Sequence, residues 1–293
     1  MTETFARHRP LLFGIAYRML GRVTEAEDLV QETWLRWQKQ KAADIQNPRA
    51  WLVAAITRLA IDQLRAARRE REEYYGVWLP EPLVESPAPG PDESAVMADS
   101  LSLAFLVLLE TLAPVERAVF LLREVFDYDY AEIAHITGKQ EANCRQIARR
   151  ARERLAAATP VARPPGRRAR QLVEQFMAAT ASGRVQELLA LLAGDAVLYT
   201  DGGGRVLAAG RPILTADRIS RFFASIWKRL PPDTELRWVP LNRRPGLVML
   251  TKAGVFNALA IDLADDRVKT IYLIRNPEKL QHLAGLIPPK TIL

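Results

Sequence analysis

Side chains able to recognise nucleic acid are concentrated in residues 140–154. Gln140, Glu141, Asn143, Arg145 and Gln146 come first, and Arg149, Arg150, Arg152 and Arg154 follow. Amides and guanidinium groups can bond base edges, and the guanidinium fork suits phosphate oxygens. A second group is Arg58, Asp62, Arg65, Arg68 and Arg69, of which Arg58, Asp62, Arg65 and Arg69 share one face at helical spacing. Asp62 there could accept from a cytosine amine or pair locally with Arg58 or Arg65. A third group, Glu27, Asp28, Gln31 and Glu32, is spaced i, i+1, i+4, i+5 and forms one acidic and polar helix face. It reads either as a docking surface or as a solvated face. Catalytic chemistry has less to work with. Asp195, Asp201, Asp217, Asp262 and His282 show no paired acid and base by spacing, and Asp262 reads as a strand-end residue in a turn or in solvent. One cysteine, Cys144, and three histidines make a closed zinc site a poor reading, so no metal and no cofactor is expected.

The 293 residues allow two or three domains, and the 49% hydrophobic content supports packed cores. No apolar run approaches the roughly 18 residues of a membrane span, so no membrane partner is expected. Met1–Pro10 is polar with Arg7 and Arg9 and does not read as a signal peptide. With a single cysteine, a reducing cytoplasm fits. Net charge is +7, which permits a polyanionic partner. Arginine predominates in three knots: Arg65, Arg68, Arg69 and Arg71; Arg145, Arg149, Arg150, Arg152 and Arg154; Arg163, Arg167, Arg168 and Arg170.

Two proline-rich stretches, 78–91 and 159–166, interrupt the helical pattern. Before the first, a helix from Leu11 stops at Gly21. Thr24 and Glu27 could form a capping box for the next helix, and Asn47-Pro48 reads as a cap with proline at the first helical position. The third helix continues through Trp51, which reads as internal packing in preference to stacking near a duplex fork. Between the proline stretches, Leu101–Leu112, a helix opened by Pro114, Tyr130–Ile136, a Thr137-Gly138 turn and Glu141–Ala157 are all helical or turn segments. A short helix, a glycine turn and a longer basic helix make a helix-turn-helix, whose second helix enters the major groove. After the second stretch, 167–192 is helical. Strand runs follow at 196–200, 236–240, 247–251, 255–261 and 268–274, with turns at Asp201-Gly202, Arg244-Pro245-Gly246 and Asp265-Asp266. Trp227, Trp238, Phe222, Phe223 and Tyr199 read as pocket or core lining.

Residues 11–21 (LLFGIAYRMLG) and 25–37 (EAEDLVQETWLRW), with the helix-turn-helix at 130–145, resemble regions 2 and 4 of the extracytoplasmic-function (ECF) sigma factors of bacterial RNA polymerase. The resemblance implies that Glu27, Asp28, Gln31 and Glu32 dock on core polymerase. It implies that Arg58, Asp62, Arg65, Arg68 and Arg69 meet the −10 element. It implies that Gln140, Asn143, Arg145, Gln146, Arg149 and Arg150 meet the −35 element. Region 1.1 and region 3 are not found in the sequence, as the resemblance to this family implies.

Three further motifs are similar to a SigJ-like group of that family with a SnoaL-like extension. They are Trp78-Leu79-Pro80-Glu81-Pro82, Asp201-Gly202-Gly203-Gly204-Arg205 and Asn276-Pro277-Glu278-Lys279-Leu280. Arg205 and Glu278 replace the group's usual lysine and aspartate, both with charge kept. The group implies that these residues mediate regulation by contacting the linker and the two DNA-binding modules. The expected architecture is therefore multidomain: two all-α modules, then an α+β SnoaL-like cone with a curved antiparallel sheet. Its segments are region 2 (1–77), a WLPEP linker (78–91), region 4 (92–159), a linker (160–166) and the extension (167–293). The expected partners are core polymerase and promoter DNA, with a small-molecule ligand in the carboxy-terminal pocket as a further candidate and no separate anti-sigma factor required. Two alternatives stand beside this reading: a cyclase or hydrolase tethered to DNA, and a ligand-responsive helix-turn-helix repressor. Neither calls for the region 2 residues.

Overall fold

Helix ends in the amino-terminal half are set by residues whose local chemistry demands them. The computed structural model describes residues 1–41, 45–67, 71–84, 97, 99–156 and 166–285. α1 (Thr2–Leu20) ends at Gly21, whose φ of 70° lets its N–H close on the Tyr17 carbonyl. α1 starts at Thr2 rather than at Leu11 and carries Pro10 inside it. Pro10 removes one backbone bond, but the extra turns bury Phe5, whose ring lies 4.9 Å from that of Trp34. α2 (Val23–Gln38) begins with Arg22 as an extended cap, so Thr24 falls inside the first turn and forms no capping box. Arg22 instead pairs with Glu25 at 3.0 Å. α3 (Pro48–Ala66) is capped by Asn47, which accepts from the Ala50 N–H.

The second helical group is α4 (Leu103–Leu109), α5 (Pro114–Glu124), α6 (Tyr130–Thr137) and α7 (Glu141–Ala156). Pro114 opens α5, and the Glu116 carboxylate accepts from the Ala113 N–H. Asp129 and Glu132 form a reciprocal capping box on α6, and Gly138 ends it at φ 67°. Contacts place both groups, Met1–Glu73 and Pro89–Thr159, in one unit. Its polar seam is built from arginines. Arg117 is buried and donates to the Met19 carbonyl (2.6 Å) and to Glu110 (2.7 Å). Arg71 pairs with the same Glu110 and donates to the Leu20 carbonyl (2.7 Å). Arg18, also buried, bonds Ser100 Oγ and the Met97 carbonyl. Burial pushes the Arg117 guanidinium below its usual pKa, and Glu110 opposes the shift.

The second unit comprises Tyr74–Ala88 and Pro160–Leu293. Residues 78–88 of the stretch read as a linker, together with Tyr74–Val77, therefore sort with the carboxy-terminal domain. The reason is burial: Leu79 and Glu81 are both fully enclosed. Burying a leucine side chain stabilises by about 1.5–3 kcal/mol. The domain itself is α8 (Gly166–Ala181), α9 (Val185–Leu191), β1 (Leu192–Asp201), β2 (Ile213–Leu214), α10 (Ala216–Trp227) and four strands. These are β3 (Glu235–Leu241), β4 (Arg244–Thr251), β5 (Gly254–Ala264) and β6 (Arg267–Ile274). The sheet order is β2-β1-β6-β5-β4-β3, antiparallel except for one parallel pair, β1 with β6. Register shifts in the β1–β6, β4–β5 and β5–β6 pairings mark irregularities that bend strands.

Phe176, Phe223, Leu198, Leu247, Leu259 and Ile271 form the core under the three helices, with Phe222, Trp227 and Trp238 packed against it. Tyr199 stacks on Tyr272 instead, with ring centroids 5.8 Å apart. The β3–β4 turn is Asn242-Arg243, both at positive φ, and not Arg244-Pro245-Gly246, which lies in β4. A two-residue hairpin turn needs positive φ at both positions, and asparagine accepts it readily. Among the described residues, no helix is long and apolar enough to cross a membrane.

Candidate functional site

The helix-turn-helix presents its polar residues on one side. Ile133 and Ile136 of α6 and Cys144, Ala148 and Ala151 of α7 are buried. Gln140, Glu141, Asn143, Arg145, Gln146, Arg149 and Arg150 are all exposed. Arg145 pairs with Glu141 and lies over the Tyr130 ring, 4.6 Å from its centroid. Arg149 pairs with Glu153 at 3.3 Å. Arg152 and Arg154 are turned to structural use, pairing with Glu124 (3.2 Å) and Glu116 (3.1 Å).

On α2, Asp28 and Gln31 are exposed and Glu27 and Glu32 half-buried, opposite the buried Ala26, Leu29, Val30, Thr33 and Trp37. Glu27 pairs with Arg9, and Glu32 with Arg36 at 2.8 Å. On α3, Asp62 pairs with Arg65 at 3.2 Å, the local alternative to a base contact. Arg58 does something its spacing did not announce. Its Nε donates to the Ile136 carbonyl (2.9 Å) and its Nη2 to the His135 carbonyl (2.8 Å), at the carboxy-terminal end of α6. A cation is favoured there by the free carbonyls and the helix dipole. Trp51 packs beside Trp37, with centroids 5.4 Å apart. It also lines an open groove of about 480 Å³ with Arg36, Asn47, Ala55, Arg58 and His135. Arg68 and Arg69 lie outside the described residues.

The three short motifs meet in the second unit. Asp201, at the end of β1, is fully buried. Its carboxylate accepts from the Tyr74 hydroxyl (2.6 Å), the Leu79 N–H (2.8 Å), the Gly203 N–H (3.0 Å) and Lys279 Nζ (2.7 Å). Lys279 is equally enclosed. It also donates to the Leu79 carbonyl (2.5 Å), and its ammonium lies 4.2 Å from the Trp78 ring centroid and 4.9 Å from that of Tyr74. Asn276 caps the turn Pro277–Lys279 by accepting from the Glu278 N–H, and its amide donates to the Tyr74 hydroxyl (3.0 Å). Gly203 has φ 60°, and a Cβ there would sit 2.2 Å from the Asn276 amide nitrogen, so only glycine fits. Gly202 and Gly204 complete the same turn, and Leu280 is buried behind it. Arg205 pairs with Glu278 at the exposed rim (3.0 Å). These are the two positions that depart from the group's usual residues, and their charges still match each other.

Pro80, Glu81 and Pro82 continue the segment that Tyr74, Trp78 and Leu79 begin. His282 Nε2 donates to the Pro82 carbonyl at 2.8 Å, since a carbonyl only accepts. Leu83 donates to Asn242 Oδ1 (2.9 Å), and Asn242 donates back to the Leu83 carbonyl (2.8 Å). Sequence reasoning missed Tyr74, His282 and Asn242 as members of this anchor. The one available signal was Tyr74-Tyr75 standing four residues ahead of the tryptophan.

The carboxylates weighed for catalysis are engaged separately. Asp195 pairs with Lys269 and Asp217 with Arg221, both on the surface. Asp262 lies within β5, not at a strand end, near the Tyr272 phenol. Burial, with Asp262 beside it, raises the Tyr272 pKa far above its ordinary value and keeps that phenol neutral. The apolar space lined by Met177, Phe223, Trp227, Met249 and Leu273 amounts to about 10 Å³. That is room for about one water molecule, too little for the small-molecule ligand weighed for this pocket.

Comparison with known proteins agrees with this geometry. Residues 4–70 match Sigma-70 region 2, and residues 102–155 match Sigma-70, region 4. The chain is 35% identical over 288 residues to the ECF RNA polymerase sigma factor SigJ of Mycobacterium tuberculosis, covering 94% of this chain and 91% of that protein. It is 30% identical over 285 residues to a probable ECF sigma factor, SigI, of the same species, covering 97% and 96%. The crystal structure of M. tuberculosis SigJ superposes with a TM-score of 0.74 at 32% identity, covering 96% of this chain and 98% of that one. The sigma factor RpoE of Bartonella quintana, solved with its anti-sigma factor NepR, reaches a TM-score of only 0.40 over 53% of this chain and 94% of that one. That likeness argues neither for nor against a separate anti-sigma factor here, and the expectation that none is required goes no further. Two sigma regions in the family's order, with relatives matched along nearly their whole length, place the chain among the extracytoplasmic-function sigma factors of RNA polymerase.

Proposed function

We propose that the carboxy-terminal domain governs this sigma factor by holding the chain segment that joins region 2 to region 4. The buried Asp201 carboxylate carries the proposal, because it binds Tyr74 and Leu79 from that segment and Lys279 from the far end of the domain. Residues 74–84 lie between the region 2 and region 4 matches. An extended residue spans about 3.4 Å, so fixing eleven of them removes about 37 Å of reach between the modules. Engaging two separated promoter elements at once depends on that reach.

In this reading Glu27, Asp28, Gln31 and Glu32 dock on core polymerase. Arg58, Asp62, Arg65, Arg68 and Arg69 serve the −10 element, and Gln140, Asn143, Arg145, Gln146, Arg149 and Arg150 the −35 element, in the cytoplasm where polymerase works. Arg58 must then exchange the His135 and Ile136 carbonyls for DNA. The domain acts by binding and not by catalysis, a view supported by its separately paired carboxylates.

The test is transcription by core polymerase from the factor's own promoter. Full-length protein is compared with Asp201→Asn/Lys279→Met, with a form ending after Thr159, and with one ending at Asn276. The double variant and the shorter tail loss should raise activity several-fold by freeing the segment, and ending after Thr159 should lower it, because the domain in this reading also positions the two modules. Equal activity in all four forms would sink the proposal.

A further inference from the structure

The chain's positive charge is not where the sigma modules are. Residues 1–160 hold 21 Lys and Arg against 23 Asp and Glu, a net charge of −2. Residues 161–293 hold 20 against 11, a net charge of +9. The domain with no match to a DNA-binding region thus carries the polycation.

Part of that charge is neutralised in place. Arg168 pairs with Asp266, Arg170 with Glu174, Arg184 with Glu187 and Arg205 with Glu278. α10 is different. Ala216, Ile219, Ser220 and Phe223 point into the core, while Arg218, Arg221, Ser225, Lys228 and Arg229 are exposed. Arg218, Arg221 and Ser225 repeat at helical spacing, and Lys228 and Arg229 continue the stripe past the last turn. Residues 218–232 contain four cations and no acid. The single carboxylate of the helix, Asp217, pairs with Arg221 at 3.0 Å. Arg218, Lys228 and Arg229 have no acidic partner among the described residues. From 218 to 229 a helix rises about 16 Å, several phosphate spacings along a duplex.

We infer that the α10 stripe is a second, sequence-independent DNA contact of this sigma factor, made to duplex phosphates. The polyanion suggested by the family's own activity is promoter DNA. A domain covalently tethered to promoter-bound modules meets flanking duplex at high effective concentration, so even weak phosphate contacts count. Exposed unpaired arginines suit phosphate and carry no base information. The inference holds whether or not the domain restrains the sigma modules.

The experiment measures binding of full-length protein with core polymerase to a duplex promoter fragment across a salt series. The variant is Arg218→Gln/Lys228→Gln/Arg229→Gln. Each phosphate contact contributes about 0.9 to the slope of log K against log salt, so the slope should fall by about 2 to 3 and affinity by roughly tenfold. The loss should be the same on a scrambled duplex of equal length. The charge-keeping Arg218→Lys/Arg229→Lys should retain the slope. A control on paired cations, Arg170→Gln/Arg184→Gln, should bind as wild type. All changed positions are exposed, and unchanged thermal melting verifies the fold. An unchanged slope and affinity overturn the inference. So does an equal loss in the control, or a loss confined to single-stranded RNA or to core polymerase without DNA.

Discussion

Helix α7 and the Asp201 anchor use the same kinds of residue to opposite ends. On α7, Arg145 and Glu141 pair four residues apart, both exposed. In the anchor, Lys279 and Asp201 pair across 78 residues with side chains 2% and 0% exposed. An exposed helical pair contributes only about 0.3–0.5 kcal/mol, because water and salt screen it. A buried pair depends on every remaining hydrogen bond being made, and removing one partner strands the other charge. The comparison teaches that charge in this protein is exchangeable where it faces solvent and structural where it is enclosed.

Three substitutions would break or sharpen that contrast. Asp201→Ala leaves the Lys279 ammonium buried without its carboxylate. It should destabilise the carboxy-terminal unit by about 3–5 kcal/mol in urea unfolding. Pairing it with Lys279→Met should recover much of the loss, whereas additive losses would mean that the two residues do not act as a unit. Gly203→Ala meets both a positive φ and the Asn276 amide and should cost about 1–3 kcal/mol by the same measurement. Wild-type stability there would show that the turn is free to move. Glu141→Gln removes an exposed pair and should leave unfolding within about 0.5 kcal/mol of wild type. Promoter binding should change instead, since Arg145 then loses its competing acid. A large stability loss would place α7 on the structural side of the contrast.

Much of the helical half was legible because its signals are local. Asn47-Pro48, Pro114 and Gly138 each act within one turn of chain, through a cap, a fixed φ or a left-handed residue. The misreadings in that half come where packing outweighs a local rule. Pro10 sits inside α1 because Phe5 finds a place against Trp34. α10 was not read as a helix at all. Its Ile219, Phe222, Phe223, Ile226 and Trp227 give strand-like β-branched and aromatic content, and its value lies in covering the sheet.

Sequence alone determined the two sigma modules, the glycine turn of the helix-turn-helix and the identity of the three short motifs, since each is written in residues a few positions apart. It also determined where the charge lies. Only the tertiary structure decided what the motifs do to one another. Tyr74 reaches Asp201 across 127 residues and Asn276 across 202, and Arg58 reaches Ile136 across 78. Separations of that size leave no periodic trace in the chain. A carboxylate, an ammonium and a phenol become an anchor only when folding removes them from water together, which lowers the local dielectric and makes each hydrogen bond depend on the others.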